Sequence, residues 1–179
     1  SYRLSNTSLC GGVVMGAESS VQKAAGVEDS KENFRKYLAA VGGGYEDSDM
    51  MDVWAEESGG TVDWLVGLGV DFPVENLYMS GNETDYEDVV PAVPRGCITS
   101  VNSGSGITSV LYEAVEAKGA EFAFDTTAQR LITNNTGRVV GVITDNGTYR
   151  ANKGVILCTA GFSRNTEWIK SFKPDLSTG

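Results

Sequence analysis

Residues 128–151, which read AQRLITNNTGRVVGVITDNGTYRA, predict three consecutive antiparallel strands. Each predicted strand is rich in β-branched or aromatic residues, and residues that favour turns separate them. The segment Asp145-Asn146-Gly147 is the stronger of the two turn signals, because Asn-Gly supplies the positive φ angles of a two-residue hairpin. The predicted strands of this β-meander are Ala128–Thr133, Arg138–Thr144 and Thr148–Ala151.

The residues after the meander form an apolar run, Gly154-Val155-Ile156-Leu157-Cys158-Thr159-Ala160-Gly161. Apolar side chains on both faces are typical of a strand buried inside a parallel sheet, so we expect Cys158 to be a buried thiol. The run ends in small residues. In α/β proteins such a strand end is where nucleotides bind, at the carboxyl edge of the sheet.

Helices are predicted upstream, which makes the expected fold class α/β: helices over a partial parallel sheet, with the meander attached. The spacing of apolar residues and the capping residues locate these helices. A strand is also predicted near Glu121–Phe124. Trp54 and Trp64 are expected to face the core. The predicted helices are Ser30–Val41, Ser48–Ser58 capped by Asp47, Val62–Leu68 capped by Thr61, Ile107–Lys118, and a short one near Asn165.

Composition excludes several classes of function. The net charge of −10 disfavours nucleic acids and anionic membranes as partners. The sequence contains no histidine, which excludes a Ser-His-Asp triad or a His-bound metal within the chain. The three cysteines are too scattered for a zinc site or a disulfide framework. No apolar run is long enough to span a bilayer, and we expect no metal at the acidic loop around Tyr86, whose carboxylates we interpret as solvated.

Three turns built from small residues are candidates for binding a ligand. They are Gly11-Gly12, Gly104-Ser105-Gly106 at the start of a helix, and Thr159-Ala160-Gly161. A Gly-x-Gly turn that leads into a helix can present backbone N–H groups to a phosphate or another electron-rich group. Each turn taken alone is better explained as a tight turn and nothing more, because Gly is the default residue of turns. The second turn also lacks the third glycine of a dinucleotide fingerprint.

The order of these motifs resembles the flavoprotein family of the soluble fumarate reductases, whose relatives include urocanate reductases and 3-ketosteroid Δ1-dehydrogenases. The most specific parts are Asn6-Thr7-Ser8-Leu9-Cys10-Gly11-Gly12 at the start, and the stretch from Gly137-Arg138-Val139 to Thr159-Ala160-Gly161-Phe162 at the end. The resemblance extends from about Asn6 to Gly179.

The resemblance implies FAD as the cofactor. It implies that the first loop wraps the ribityl and ring side of FAD, with Gly12 also beside the substrate. The glycine-rich helix start would lie near the flavin ring, Ala128 would contact adenine, and the end of the apolar run would lie near the nucleotide. The residues implied to bind the cofactor are Asn6, Thr7, Leu9, Gly11, Gly12, Gly104, Ser105, Gly106, Ala128, Thr159, Ala160 and Gly161.

The sequence also departs from the family pattern. The family's Gly-x-Gly-x-x-Gly pyrophosphate turn and its active-site Arg and His residues have no match here, and Cys10 stands where Ser or Ala is usual. We therefore expect residues 1–179 to be a partial FAD-binding domain that lacks the pyrophosphate unit, the clamp domain and the C-terminal return segment. We expect no catalytic residue in the chain, and weak or absent FAD binding by the chain alone.

The implied parent reaction is the reduction, or the formation, of an activated C=C bond in a small-molecule substrate. Two alternatives stay open: a non-enzymatic acidic interaction module, and an NAD-linked relative in the same family. Incomplete sheet edges predict self-association. Arg95 is either a solvated loop residue or a cation placed for function.

Overall fold

The computed structural model describes residues 5–79 and 82–176. The chain divides into two compact units, with the boundary between Phe122 and Ala123. The first unit is mostly helical and carries a small sheet. The second unit is built on a β-meander. The α/β class is confirmed, but every strand pairing in the described residues is antiparallel.

The first unit contains five α-helices and three short strands among its described residues. In chain order they are α1 (Asn6–Leu9), β1 (Val13–Met15), α2 (Ser20–Ala24), α3 (Lys31–Gly42), α4 (Ser48–Leu68), β2 (Leu77–Tyr78), β3 (Gly96–Ile98) and α5 (Ser105–Ala117). The helix α3 begins as predicted, because the Ser30 side chain accepts a hydrogen bond from the Asn33 N–H.

The small sheet of the first unit has the strand order β1-β3-β2. Val14 and Leu77 both pair with Cys97, so β3 is the central strand. Both outer strands join β3 from segments distant in the sequence. The sequence did not predict β2 and β3, because strands of two or three residues carry too few alternating positions to be recognised from sequence.

The helix α4 is a single helix of 21 residues, where the sequence predicted two. Thr61 does not cap a helix; its hydroxyl donates back to the Glu57 carbonyl. The inner face is the stripe Ala55, Ser58, Val62 and Leu65. Trp54 and Trp64 lie off this stripe and are 48% and 56% exposed, so the prediction that they face the core is wrong.

Two adjacent glycines in α4 have different roles. A Cβ on Gly59 would lie 2.1 Å from the Ala17 carbonyl oxygen, whereas one on Gly60 would meet no atom within 4 Å. Gly59 therefore allows α4 to pack closely against Ala17, which follows β1 in the chain. This packing stabilises the helix across the Gly59-Gly60 pair.

We expect opposite effects from replacing these two glycines. Gly59→Ala should destabilise the protein by about 1–3 kcal/mol, because the added methyl group overlaps a backbone atom. Gly60→Ala should stabilise it by about 1 kcal/mol, because alanine restricts the unfolded chain and fits the exposed helix. Urea unfolding followed by circular dichroism measures both. Equal effects would show that α4 does not contact Ala17 as described.

Two hydrophobic clusters form the core of the first unit. One centres on Val62, Leu65 and Phe72, and the other on Phe34, Tyr37 and Ala55. Arg95 is fully buried and pairs with the Asp29 carboxylate, whose side chain is 1% exposed. The interpretation of Arg95 as a solvated loop residue is therefore wrong, because an acidic partner 66 residues away takes it into the core.

The acidic loop is only partly solvated. Asp85, Glu87 and Asp88 are exposed as predicted, but Glu83 is fully buried. In the part of the chain that the structure describes, no three Cys, Asp or Glu side chains lie close enough together to hold a metal ion.

The second unit confirms the predicted meander. It contains β4 (Ala128–Thr133), β5 (Val139–Thr144), β6 (Gly147–Arg150) and α6 (Thr166–Phe172). Antiparallel pairing joins β4 to β5 and β5 to β6, with Thr144 opposite Gly147 at the hairpin. The loop between these paired residues is Asp145-Asn146, and φ is positive at Gly147 but not at Asn146, so the prediction of positive φ angles at both Asn-Gly residues is wrong at Asn146. Asn165 caps α6 through a hydrogen bond from the Trp168 N–H. No strand forms at the predicted segment Glu121–Phe124.

The apolar run of residues 154–161 is not a strand within this structure. Ile156 and Leu157 are 89% and 59% exposed, and Cys158 is also exposed. A parallel strand needs neighbours on its edges and cover on its faces, and none of the described residues pairs with this run. The prediction that Cys158 is buried is wrong for that reason. Among the described residues, no helix has the length and apolar character needed to cross a bilayer.

Candidate functional site

The first predicted cofactor loop, residues 5–12, is folded into one helical turn by its own polar groups. The Ser5 side chain accepts a hydrogen bond from the Ser8 N–H at 3.2 Å. The Cys10 thiol donates to the Thr7 carbonyl oxygen at 3.0 Å and accepts weakly from the Gly12 N–H at 3.4 Å. The Cys10 thiol therefore closes the turn.

This loop packs directly on the second predicted turn, at the start of α5. The Gly104 N–H donates to the Cys10 carbonyl oxygen at 2.9 Å. A Cβ on Gly104 would lie 1.6 Å from the Thr7 carbonyl oxygen, so there is no room for a larger residue. Gly12 has a φ of +75°, and a Cβ there would lie 2.5 Å from the Ser103 carbonyl carbon. The structure thus brings the two predicted turns together.

The backbone N–H groups at the start of α5 are all engaged by the protein itself. The Ser105 N–H donates to Ser103 Oγ, the Gly106 N–H to the Ser103 carbonyl, and the Ile107 N–H to the Gly104 carbonyl. The possibility that this helix start presents N–H groups to a phosphate is therefore not supported. Gly104 and Gly106 are small because other segments approach them closely: a Cβ on Gly106 would lie 2.9 Å from Thr99 Oγ1.

The outer side of the first loop remains open. Leu9 is 67% exposed, and a Cβ on Gly11 would meet no atom within 4 Å. Among the described residues, the Gly11 N–H has no hydrogen-bond acceptor. Beside this edge lies a cleft of about 500 Å³. Its lining is Ser8, Leu9, Val101, Ser103, Ser105, Gly106 and Ser109, and none of these side chains is ionisable.

The remaining predicted cofactor residues belong to the second unit. Ala128 is the first residue of β4 and is exposed. Thr159, Ala160 and Gly161 are exposed in an irregular segment, and Ala160 has a φ of +59°. This left-handed conformation is unfavourable for alanine by about 1–2 kcal/mol and often marks a functional position. Gly161 lines a second cleft with the residues that start α6.

Sequence reasoning missed the residues that join the two turns, Thr99 and Ser103. Their signal was present, because residues 99–105 (TSVNSGS) concentrate hydroxyl and amide side chains, which typically bond to nearby backbone. It also misplaced the buried thiol. Cys97 on the central strand is 1% exposed, and burial raises the pKa of its thiol to about 11, although a hydrogen bond with Ser19 acts in the opposite direction. Cys97 is therefore not a nucleophile at neutral pH.

Comparison with known proteins places the chain among flavoproteins. The chain is 29% identical to the urocanate reductase of Eggerthella lenta over 96% of its own length and 28% of the relative's. It is 26% identical to the probable fumarate reductase Ifc3 of Shewanella frigidimarina, with the same coverage of 96% and 28%. The chain thus spans less than a third of the length of these two curated relatives.

Solved structures show the same similarity in fold. The 3-ketosteroid-Δ4-(5α)-dehydrogenase of Rhodococcus jostii RHA1, in complex with 4-androstene-3,17-dione, superimposes with a TM-score of 0.87 at 28% identity, over 95% of this chain and 41% of the other. The open conformation of a flavocytochrome c3 fumarate reductase gives a TM-score of 0.81 at 25% identity, over 97% and 30%. The FAD binding domain family model matches residues 1–179, and the chain therefore belongs to the FAD binding domain family.

Proposed function

We propose that this chain forms part of the FAD-binding domain of an oxidoreductase that reduces, or forms, an activated C=C bond in a small-molecule substrate. Relatives named for the reduction of urocanate and fumarate support this reaction class. The observation that carries the proposal is the packing of the Gly12 turn on Gly104. It holds Leu9 and the Gly11 N–H, which has no acceptor among the described residues, at an open surface.

The residues at this surface fit a flavin. A planar ring needs close backbone approach and apolar contact, and Gly11 and Leu9 supply these. On this proposal Asn6, Thr7, Leu9, Gly11 and Gly12 hold the ring side of FAD from the first loop. Gly104 packs against that loop, and Ser105 and Gly106 line the cleft beside it. When bound, FAD supplies hydride transfer to or from one carbon of the substrate.

The chain's own groups bind and orient rather than exchange protons. The Gly11 N–H is a donor to an electron-rich atom of the cofactor, and Leu9 excludes water from the ring face. The described residues that line the cleft include no ionisable side chain. We therefore propose that the acid that protonates the second substrate carbon is not in this cleft, and that the chain contains no catalytic residue.

The second unit is proposed to serve the nucleotide end of FAD. On this reading Ala128 offers its backbone to adenine, and Thr159, Ala160 and Gly161 allow the nucleotide to approach closely. The left-handed Ala160 supports this reading. Self-association through unpaired edges stays a prediction, supported by the exposure of Ile156 and Leu157.

Titration of the isotope-labelled chain with FAD, followed by amide NMR, tests the proposed site. We expect weak binding, with a Kd of about 1 mM or slightly tighter, and shifts concentrated at Leu9, Gly11 and Ser105. Gly11→Leu should abolish these shifts, because its side chain would project into the open surface without disturbing the fold. Gly67→Leu is the matched control: Gly67 is an exposed glycine in α4 with nothing within 4 Å of an added Cβ. Shifts that are absent in the wild type, or retained in Gly11→Leu, would contradict the proposed site.

A further inference from the structure

Two hydroxyl side chains join the predicted cofactor loop to the start of α5. Thr99 Oγ1 donates to the Ser103 carbonyl oxygen at 2.8 Å and accepts from the Ser103 N–H at 3.3 Å. Ser103 Oγ donates to the Ser8 carbonyl oxygen at 3.1 Å and accepts from the Ser105 N–H at 3.2 Å. We call Thr99 and Ser103 the hydroxyl clamp.

The clamp connects three segments through two oxygen atoms. Thr99 is 1% exposed at the end of the central strand, where a buried hydroxyl is unfavourable unless it is hydrogen-bonded. Its bonds close the turn of residues 99–103 on itself. Ser103 Oγ then links a backbone donor of α5 to a backbone acceptor of the first loop, 95 residues away in the chain.

The first loop depends on such a connection. The helix α1 has four residues, and a helix this short is not stable in isolation. Ser8 is the one buried residue of α1, whereas Asn6, Thr7 and Leu9 are exposed. Burial therefore gives the loop little stability. Among the described residues, the polar contacts that join it to other segments are the Ser103 bond to Ser8 and the Gly104 bond to Cys10.

We propose that Thr99 and Ser103 are positioning residues that order the Leu9–Gly12 turn before the cofactor arrives. The inference rests on the proposed function, in which this turn contacts FAD. A loop ordered in advance loses less conformational freedom on binding, so the clamp should raise affinity for FAD without touching it. It should also hold Gly11 with its N–H directed outward.

Amide hydrogen exchange in the FAD-free chain measures whether the clamp orders the first loop. Thr99→Val keeps the shape of the side chain and removes the hydroxyl, and Ser103→Ala removes the link to Ser8. Each should accelerate exchange of the Gly104 amide, which is bonded to Cys10, by at least about fivefold. Thr99→Ser keeps the hydroxyl and should show the wild-type exchange rate of the Gly104 amide. Thr108→Val is the matched control, because among the described residues the Thr108 hydroxyl bonds to the Gly104 and Ser105 carbonyls at the start of α5 and not to the first loop.

Titration of the same variants with FAD tests whether the clamp raises the affinity for FAD. We expect Thr99→Val and Ser103→Ala to weaken FAD binding about fivefold, with Thr99→Ser and Thr108→Val unchanged. A wild-type Gly104 exchange rate in both Thr99→Val and Ser103→Ala would overturn the proposal that the clamp orders the first loop. Faster exchange with unchanged FAD affinity overturns its role in cofactor binding. If the wild-type chain shows no FAD shifts, the proposed cofactor site fails, and the exchange rates still decide whether the clamp orders the turn.

Discussion

Replacing Arg95 with alanine is expected to destabilise the first unit by about 3–5 kcal/mol, because it leaves the buried Asp29 carboxylate without its partner. Arg95 Nε and Nη2 donate to the two Asp29 carboxylate oxygens at 2.7 and 2.9 Å. The guanidinium also lies 5.7 Å from the Phe34 ring centre and 5.2 Å from that of Tyr37. Urea denaturation monitored by circular dichroism gives the free energy of unfolding.

Two further variants separate the charge from the packing at Arg95. Asp29→Asn combined with Arg95→Ala should recover part of the lost stability, because no charge then remains buried and unpaired. Lys31→Ala removes a cation from the exposed pair with Glu56 and should leave the unfolding midpoint unchanged. An Arg95→Ala protein that unfolds at the wild-type midpoint would show that the ion pair is not buried.

Gly104→Ala is expected to destabilise the protein by about 3 kcal/mol, at the upper end of the range for overpacked sites. The φ of Gly104 is −60°, which alanine also adopts, so the effect comes from space and not from backbone conformation. The added methyl group would overlap the Thr7 carbonyl oxygen, and the first loop would have to leave α5. FAD-induced shifts at Leu9 and Gly11 should disappear with it. Urea denaturation measures the first effect and the NMR titration the second.

Ser105→Ala is the control for Gly104→Ala. Ser105 is the exposed neighbour at the same helix start, and its replacement should change the free energy of unfolding by no more than about 0.5 kcal/mol. Wild-type stability in Gly104→Ala would mean that the two glycine turns do not pack together. The proposed cofactor surface would then lose the observation that carries it.

Local signals in the sequence determined several elements of this protein correctly. Asp145-Asn146-Gly147 specified the hairpin, and Ser30 and Asn165 specified the starts of two helices, because turns and caps form between residues at most four apart. The order of motifs along the chain was sufficient for the family. The resemblance implied that the first two glycine turns both lie near the flavin ring. It did not explain why glycine is needed there, which is that other segments approach these positions closely.

Only the tertiary structure decided which residues are buried, and which glycines are needed for space. The helix α4 continues through its Gly-Gly pair because Ala17 packs against Gly59. Arg95 is buried in the core because it forms an ion pair with Asp29. The run of residues 154–161 has the composition of a buried strand and lies exposed, since no described segment pairs with it. Caps and hairpins are set by neighbours in sequence. Burial, ion pairing and the space at a Cβ are set by segments such as those of Thr7 and Gly104, which meet only when the chain folds.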